Sequence, residues 1–494
     1  MLGQPPFSHV TEKALIELYH HISAENNKND RQKQYEHILS KKLDLESQRP
    51  KKLHEELGIE LAICILRKVI RTNAQDVNQF MWLVANLALL ILTEHSLIYK
   101  SVHHIIDSAL DVDKLDYVPR DLRMSGVDAS LPEFERILGS FHLVLDNNKF
   151  KFLPSIRVLK SIEEFFRQRD HLYKFVICHH RVAKTDGLLR EIVLELAREH
   201  FGKDEPEETP DPYLLPKDIS GLWKIIDLPQ AEMARLPSPA GDDYFAWLES
   251  QYLQWDDSWL LSVLRNYYFG IKGKNGGRNG IDNETLMLKV TELLSNRKYY
   301  QSLYKRFDTF LEVDERFRKE MEQSGQVHDI DRTRLQATAK RVIETFLDHI
   351  DPDGADIARH DLREYGILVK GTGALLSIIC ADFDIGELRG IVSEAINGIN
   401  NEFQLDSFFE IKTKSLEPGV KKSFKLLGED SIVDIGEVSG IATDLLRSRY
   451  LFPPFFVYVY REKELTNQEL REIRASLGIH MWGAIHDWLK SQGG

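Results

Sequence analysis

Residues 111–121, DVDKLDYVPRD, hold the densest group of side chains able to do chemistry. Read as a helix, Asp113, Asp116, Tyr117, Arg120 and Asp121 fall at i, i+3, i+4, i+7 and i+8, on one face, with Lys114 adjacent. Pro119 would kink such a helix, so the shared face is approximate. A pocket for a phosphorylated, aromatic-ringed molecule uses these residue types. A carboxylate holds a metal, a cation meets phosphate, an aromatic ring stacks, and an acid accepts from a sugar hydroxyl. A solvated face with an Asp116–Arg120 pair at i, i+4 accounts for the same residues without a ligand.

Such a segment needs a scaffold, and the sequence around it reads as nearly continuous helix from Thr11 to about Phe201. In residues 54–71, Ile59, Ala62, Ile63, Leu66 and Ile70 fall at i, i+3, i+4, i+7 and i+11. Glu56, Glu60, Arg67 and Arg71 take the opposite face, which predicts an amphipathic helix. Residues 80–92, FMWLVANLALLIL, are too few to span a bilayer and contain Asn86, so they read as a buried core helix. Residues 202–216 are proline-rich and acidic, as an exposed linker is. After Asp351 the segments GALLSIICADF, FFEIKTKSL and PFFVYVYRE are β-rich, and helical stretches lie between them. The expected fold is mainly α. Its divisions are 1–201, a linker at 202–243, a helical domain at 244–350 and a smaller C-terminal α/β (α+β) domain at 351–494.

The chain has 494 residues, 43% of them apolar and 29% charged, and a net charge of −13. That balance is ordinary for a globular protein and weighs against nucleic acid as a partner, since phosphate favours a basic face. Cys64, Cys178 and Cys380 each sit in an apolar run, without the spacing of a zinc site or disulfide framework. Buried reduced thiols and no signal peptide give a cytoplasmic, non-membrane expectation. Trp247, Tyr252, Trp255 and Trp259 read as core or subunit interface.

DVDKLDYVPRD resembles the motif that closes the metal site of HD-domain phosphohydrolases, in the dNTP triphosphohydrolase and bacterial dGTPase-like branch. Three further segments resemble that family in the same order. LGQPPFSHVTE (2–12) is similar to the turn that follows the histidine–aspartate dyad. LHEELGIELAICIL (53–66) is similar to a helix carrying a histidine–glutamate pair. SIEEFFRQRDHLYKFVICHHRVAKTDGLLREIVLEL (161–196) is similar to the helix with a tyrosine–x–histidine–lysine motif.

The resemblance implies an HD-domain core in residues 1–201. It also implies a divalent metal (Mg, Mn, Fe or Zn) and a nucleotide substrate, most simply a dNTP. Asp113 would be the last metal ligand, Lys114 would contact phosphate, Tyr117 would pack near sugar and base, and Asp121 would accept from the 3′-hydroxyl. His9 would lie against the reacting phosphate. His54 would join the same acid–base group, paired with an acid at Glu12. His179 and His180 stand at the family's histidine–lysine position. Homo-oligomers are common among such relatives.

Departures from the pattern set the alternatives. The family's dyad immediately precedes the leucine–glycine matched by Leu2 and Gly3, so Met1 stands at its aspartate. A late-assigned start, or a shortened and catalytically impaired chain, is expected. Gln4 and Pro5 replace a histidine and a glycine, Ile177 stands for a base-stacking tyrosine, and Tyr173 stands for a histidine found in some relatives. A degenerate protein that binds a nucleotide or a partner protein is the second reading, and a phosphodiesterase or nuclease the third.

Overall fold

A computed structural model describes residues 7–43, 53, 58–59, 62–63, 65–67, 69–70, 78–103, 110–127, 134–146, 148–202, 219, 222, 256–273, 282–324, 385–412, 425–429, 431–441 and 453–491. Contacts divide the chain into two compact units, Met1–Tyr99 with Thr185–Tyr299, and Lys100–Lys184 with Tyr300–Gly494. Each unit is therefore built from two stretches distant in sequence. Helix predominates, with small antiparallel sheets, as the sequence leads one to expect.

The first unit is helical among its described residues. Helices Ser8–Ala24 and Asp30–Leu43 pack with the part of His180–Phe201 from Thr185 onward, and with Asp257–Gly273 and Asp282–Leu294. Leu15, Leu18 and Ile22 repeat at i, i+3 and i+7 and bury one stripe against Ile192, Val193 and Leu196. Trp259 joins this core, whereas Trp247, Tyr252 and Trp255 lie outside the described residues. Tyr35 is fully buried, and its hydroxyl donates to the Leu15 carbonyl at 2.6 Å, so the phenol stays paired away from water. Arg190 has no exposed surface and reaches Glu17 and Glu191, each at 2.6 Å.

Helix Gln79–Leu92 does not lie in that core. Ala85 is its buried residue, and residues 80–84 are exposed all round the first turns. The buried-helix expectation is overturned here. An all-apolar composition states that a helix needs a cover, but not which surface provides it.

The second unit mixes helices with strands. β1 (Phe141–Asp146) and β2 (Lys149–Pro154) form an antiparallel hairpin inside the span read as continuous helix. FHLVLD and KFKFLP are rich in aromatic and branched residues, and Asp146 pairs with Lys149 across a two-residue turn. Asn148 takes φ 58°, the left-handed geometry such turns require. This corrects the helical reading: turn chemistry and alternation outweigh the helical context on either side. β3 (Gln301–Ser302), β4 (Asp406–Ile411) and β7 (Phe455–Tyr460) form a second sheet, and β5 (Lys425–Leu427) and β6 (Ile432–Asp434) a short third one. β7 (Phe455–Tyr460) is central in the order β3-β7-β4 and is buried along nearly its whole length. FFEI and FFVYVY are thus strands, as expected, whereas GALLSIICADF lies outside the described residues.

Helix Asn467–Ser491 packs on both Phe307–Ser324 and Ile385–Phe403. The approach at Gly478 is close: a Cβ there would lie 2.5 Å from the Val313 carbonyl oxygen, so only glycine fits. NQELREIRASLG and AIHDWLKS are parts of this one helix.

Candidate functional site

Residues 112–124 fold as a single helix that runs through Pro119. Asp111 starts it. Its Oδ1 accepts the Lys114 backbone N–H at 2.8 Å, which caps the helix, and its Oδ2 holds the Lys114 ammonium. Asp111 is nearly buried, so this carboxylate fixes both the helix start and the position of the Lys114 head. An aspartate immediately before an apolar-periodic run is the sequence signal for such a cap.

The helix has two clear faces. Leu115, Val118, Pro119 and Leu122 are buried, while Asp113, Asp116 and Arg120 are exposed. Arg120 bridges Asp116 and Asp121, the latter at 3.2 Å, so the i, i+4 pair read from the sequence exists. Asp121 is half-exposed at the edge of this face. Exposed pairs of this kind are worth about 0–1 kcal/mol and do not build a site alone.

Tyr117 turns inward beside the core formed by Val118, Ile162 and Phe165. It meets Tyr173, and the Arg169 guanidinium lies 5.4 Å from the Tyr173 ring centre. Burial pushes the Tyr117 phenol well above its ordinary range; the neighbouring Tyr173 adds to this and Arg169 opposes it. The phenol therefore stays protonated and acts as a hydrogen-bonding group. Tyr173 opens a π-helical turn, Tyr173–Ile177, which follows helix Leu159–Leu172, and Lys174 pairs with Asp170 at 2.6 Å. Residues 111–121 and the part of 161–196 up to Lys184 are thus brought together in the second unit. The Tyr173 and Arg169 contacts were absent from the sequence reading, because partners some fifty residues apart leave no periodic trace.

In the first unit, His9 stands exposed in the first turn of Ser8–Ala24. Glu12 is buried on the same helix, and its Oε1 accepts the backbone N–H of Leu53 at 2.8 Å. His54 itself lies outside the described residues, but the carboxylate expected to partner it is aimed at the residue before it. The motifs at 2–12 and 53–66 meet through this bond.

His179 and His180 stand at the end of the π turn and the start of helix His180–Phe201. Tyr458 donates to the His180 carbonyl, and Lys184 donates to the Tyr300 carbonyl at 2.5 Å. His180 is pushed down to about 4 by burial, with His179, Lys305, Arg181 and Lys184 adding to the shift. The unfolded chain then binds the proton more readily than the fold. Stability from neutral His180 is complete above about pH 6.5 and is lost as pH falls toward about 4. His180→Gln is expected to flatten the acid loss of stability. Urea midpoints at about pH 7 and about pH 5 measure it; an unchanged slope would remove His180 as a contributor.

The carried-over metal ligand is Asp113, a single exposed carboxylate. Among the described residues no three His, Cys, Asp or Glu side chains converge to hold a metal ion. One carboxylate does not bind a divalent cation tightly. No described helix is long and apolar enough to cross a membrane.

Comparison with known proteins gives three results. No family model matches the chain. An uncharacterized protein of Mycoplasma genitalium is 27% identical over 85 residues, which span 17% of this chain and 20% of that protein. A crystallised phosphohydrolase from Bacteroides thetaiotaomicron aligns over 92% of this chain and 87% of its own, at 15% identity and a TM-score of 0.41.

Proposed function

We propose that the chain is an HD-type phosphohydrolase acting on nucleotides, with a deoxynucleoside triphosphate as substrate. The observation that carries this reading is the helix Val112–Met124, on which Lys114, Tyr117 and Asp121 are positioned by Asp111, Tyr173 and Arg120. A cation, a half-buried phenol and a carboxylate follow one another along it. That order suits phosphate, sugar and 3′-hydroxyl. The Asp111 carboxylate keeps the Lys114 head from wandering, which lowers the entropy lost when it meets a phosphate oxygen. His9, Glu12 and His54 are proposed as the acid–base residues of the reaction. The family's divalent metal belongs to the same proposal and would neutralise phosphate charge, with Asp113 contributing one ligand.

A second reading is favoured by a specific observation. Asp113, Asp116 and Arg120 sit on a solvated face with no described metal set, which suits a protein that binds a nucleotide without turning it over. Product analysis separates the readings. The chain is incubated with each dNTP and with Mg or Mn. Release of inorganic triphosphate and deoxynucleoside supports the proposal. Nucleotide-dependent stabilisation without turnover moves the assignment to binding, and mononucleotides released from single-stranded DNA move it to a phosphodiesterase.

A further inference from the structure

The last turns of helices Ser8–Ala24 and His180–Phe201 meet in the first unit, where Arg198 donates to His21 Nε2 and helix Asp30–Leu43 contributes Gln32. Between them lies a cavity of about 340 Å³. That is the small end of the roughly 300–1,000 Å³ range of small-molecule pockets. Leu18, Ile22 and Phe201 give it apolar walls. Arg198 and Glu25, both exposed, also line it, and among the described residues neither forms an ion pair. Arg198 rests on the His21 ring. Burial, and then Arg198 itself, holds that ring below its ordinary pKa, so it stays uncharged at neutral pH. Glu25 Oε2 accepts from Gln32 Nε2 at 2.9 Å, and the buried Gln32 is fixed in turn by the Asn29 backbone N–H, which donates to its Oε1 at 2.9 Å. Each charge is thus held by a neutral group and keeps hydrogen-bonding capacity for a ligand.

We propose that this cavity binds a small zwitterion with an apolar side chain, an α-amino acid of the leucine kind. Its carboxylate meets Arg198, whose planar fork takes two oxygens at once. Its ammonium meets Glu25, which closes the end of helix Ser8–Ala24, where the helix dipole adds negative potential. Its side chain lies on Leu18, Ile22 and Phe201. A simple anion would be repelled by Glu25, and a simple cation by Arg198. A molecule that carries both charges answers both. A nucleotide fits less well, because Glu25 and the helix end oppose its phosphates. His9 lies in the first turn of the same helix, about 18 Å from His21 by helical rise. Binding in the cavity is therefore read separately from the reaction proposed above.

Calorimetric titration of L-leucine into the full chain tests this, beside isocaproate, which lacks the ammonium, and isopentylamine, which lacks the carboxylate. Leucine is expected to bind at least about 10-fold more tightly than either analogue, since each analogue loses one charge-assisted contact. Arg198→Ala and Glu25→Gln are each expected to weaken leucine binding at least about 10-fold. The first is expected to erase the preference over isopentylamine, and the second the preference over isocaproate. Circular dichroism is expected to stay unchanged in both, because both side chains are exposed. No heat of binding with leucine overturns the proposal. So does an analogue that binds as tightly as leucine, or leucine binding that neither substitution weakens. Displacement of leucine by dATP would make the cavity a nucleotide site and overturns it as well.

Discussion

Arg190→Ala is expected to destabilise the first unit by about 3 kcal/mol, among the largest effects of any single polar substitution. Arg190 is fully buried and holds both Glu17 and Glu191 at 2.6 Å. Removing the guanidinium takes from Glu17 and Glu191 the cation they share, leaving Lys289 at 4.0 Å from Glu191, and opens a void of several methylenes. Breaking a buried pair costs about 3–5 kcal/mol, and the lower end applies because both glutamates keep about a fifth of their surface, 20% and 22%. The effect bears on function because Glu17 lies on the helix that carries His9 and Glu12. Urea denaturation followed by fluorescence of Trp259, which shares this core, measures it. Arg190→Met separates the causes, since it keeps most of the volume and loses the charge. A loss below about 1 kcal/mol in the alanine variant would mean that the ion network contributes no more than an exposed pair.

Phe165→Ala is expected to cost the second unit about 3–5 kcal/mol. Phe165 is fully buried with Leu115, Val118 and Leu122 of the candidate helix and Ile162 of its own, and its ring lies 5.7 Å from that of Phe166. Truncation leaves a cavity directly beneath the helix that presents Lys114, Tyr117 and Asp121. That helix is expected to lose hydrogen-exchange protection first, ahead of helix Asn467–Ser491, which does not share this core. Equal loss of protection in both helices, or a cost below about 1 kcal/mol, would show that Phe165 does not seat the helix.

The polar and apolar faces of residues 112–124 were legible in the sequence, because helical period alone sorts Leu115, Val118 and Leu122 from Asp113, Asp116 and Arg120. The Asp116–Arg120 pair followed from the same period. The C-terminal strands FFEI and FFVYVY were legible from their branched and aromatic runs. The hairpin at 141–154 carried an equally good signal, alternation around Asn147 and Asn148, but it was absorbed into the helices flanking it. Helix Gln79–Leu92 was legible as an element and misplaced as core, because hydrophobicity is a property of the segment and burial a property of its neighbours. Tyr117–Tyr173 and Glu12–Leu53 join residues some forty to fifty-six positions apart, and no local pattern encodes such contacts.

The central claim is that a nucleotide is held at the helix that begins with Asp111. Calorimetric titration of a dNTP into the full chain and into Lys114→Ala tests it most directly. Loss of one charge-assisted contact to phosphate is worth about 1.5–3 kcal/mol, so the variant is expected to bind about 10- to 100-fold more weakly while keeping its circular dichroism. No heat of binding in the unmodified chain, or the same affinity in both proteins, would contradict the account.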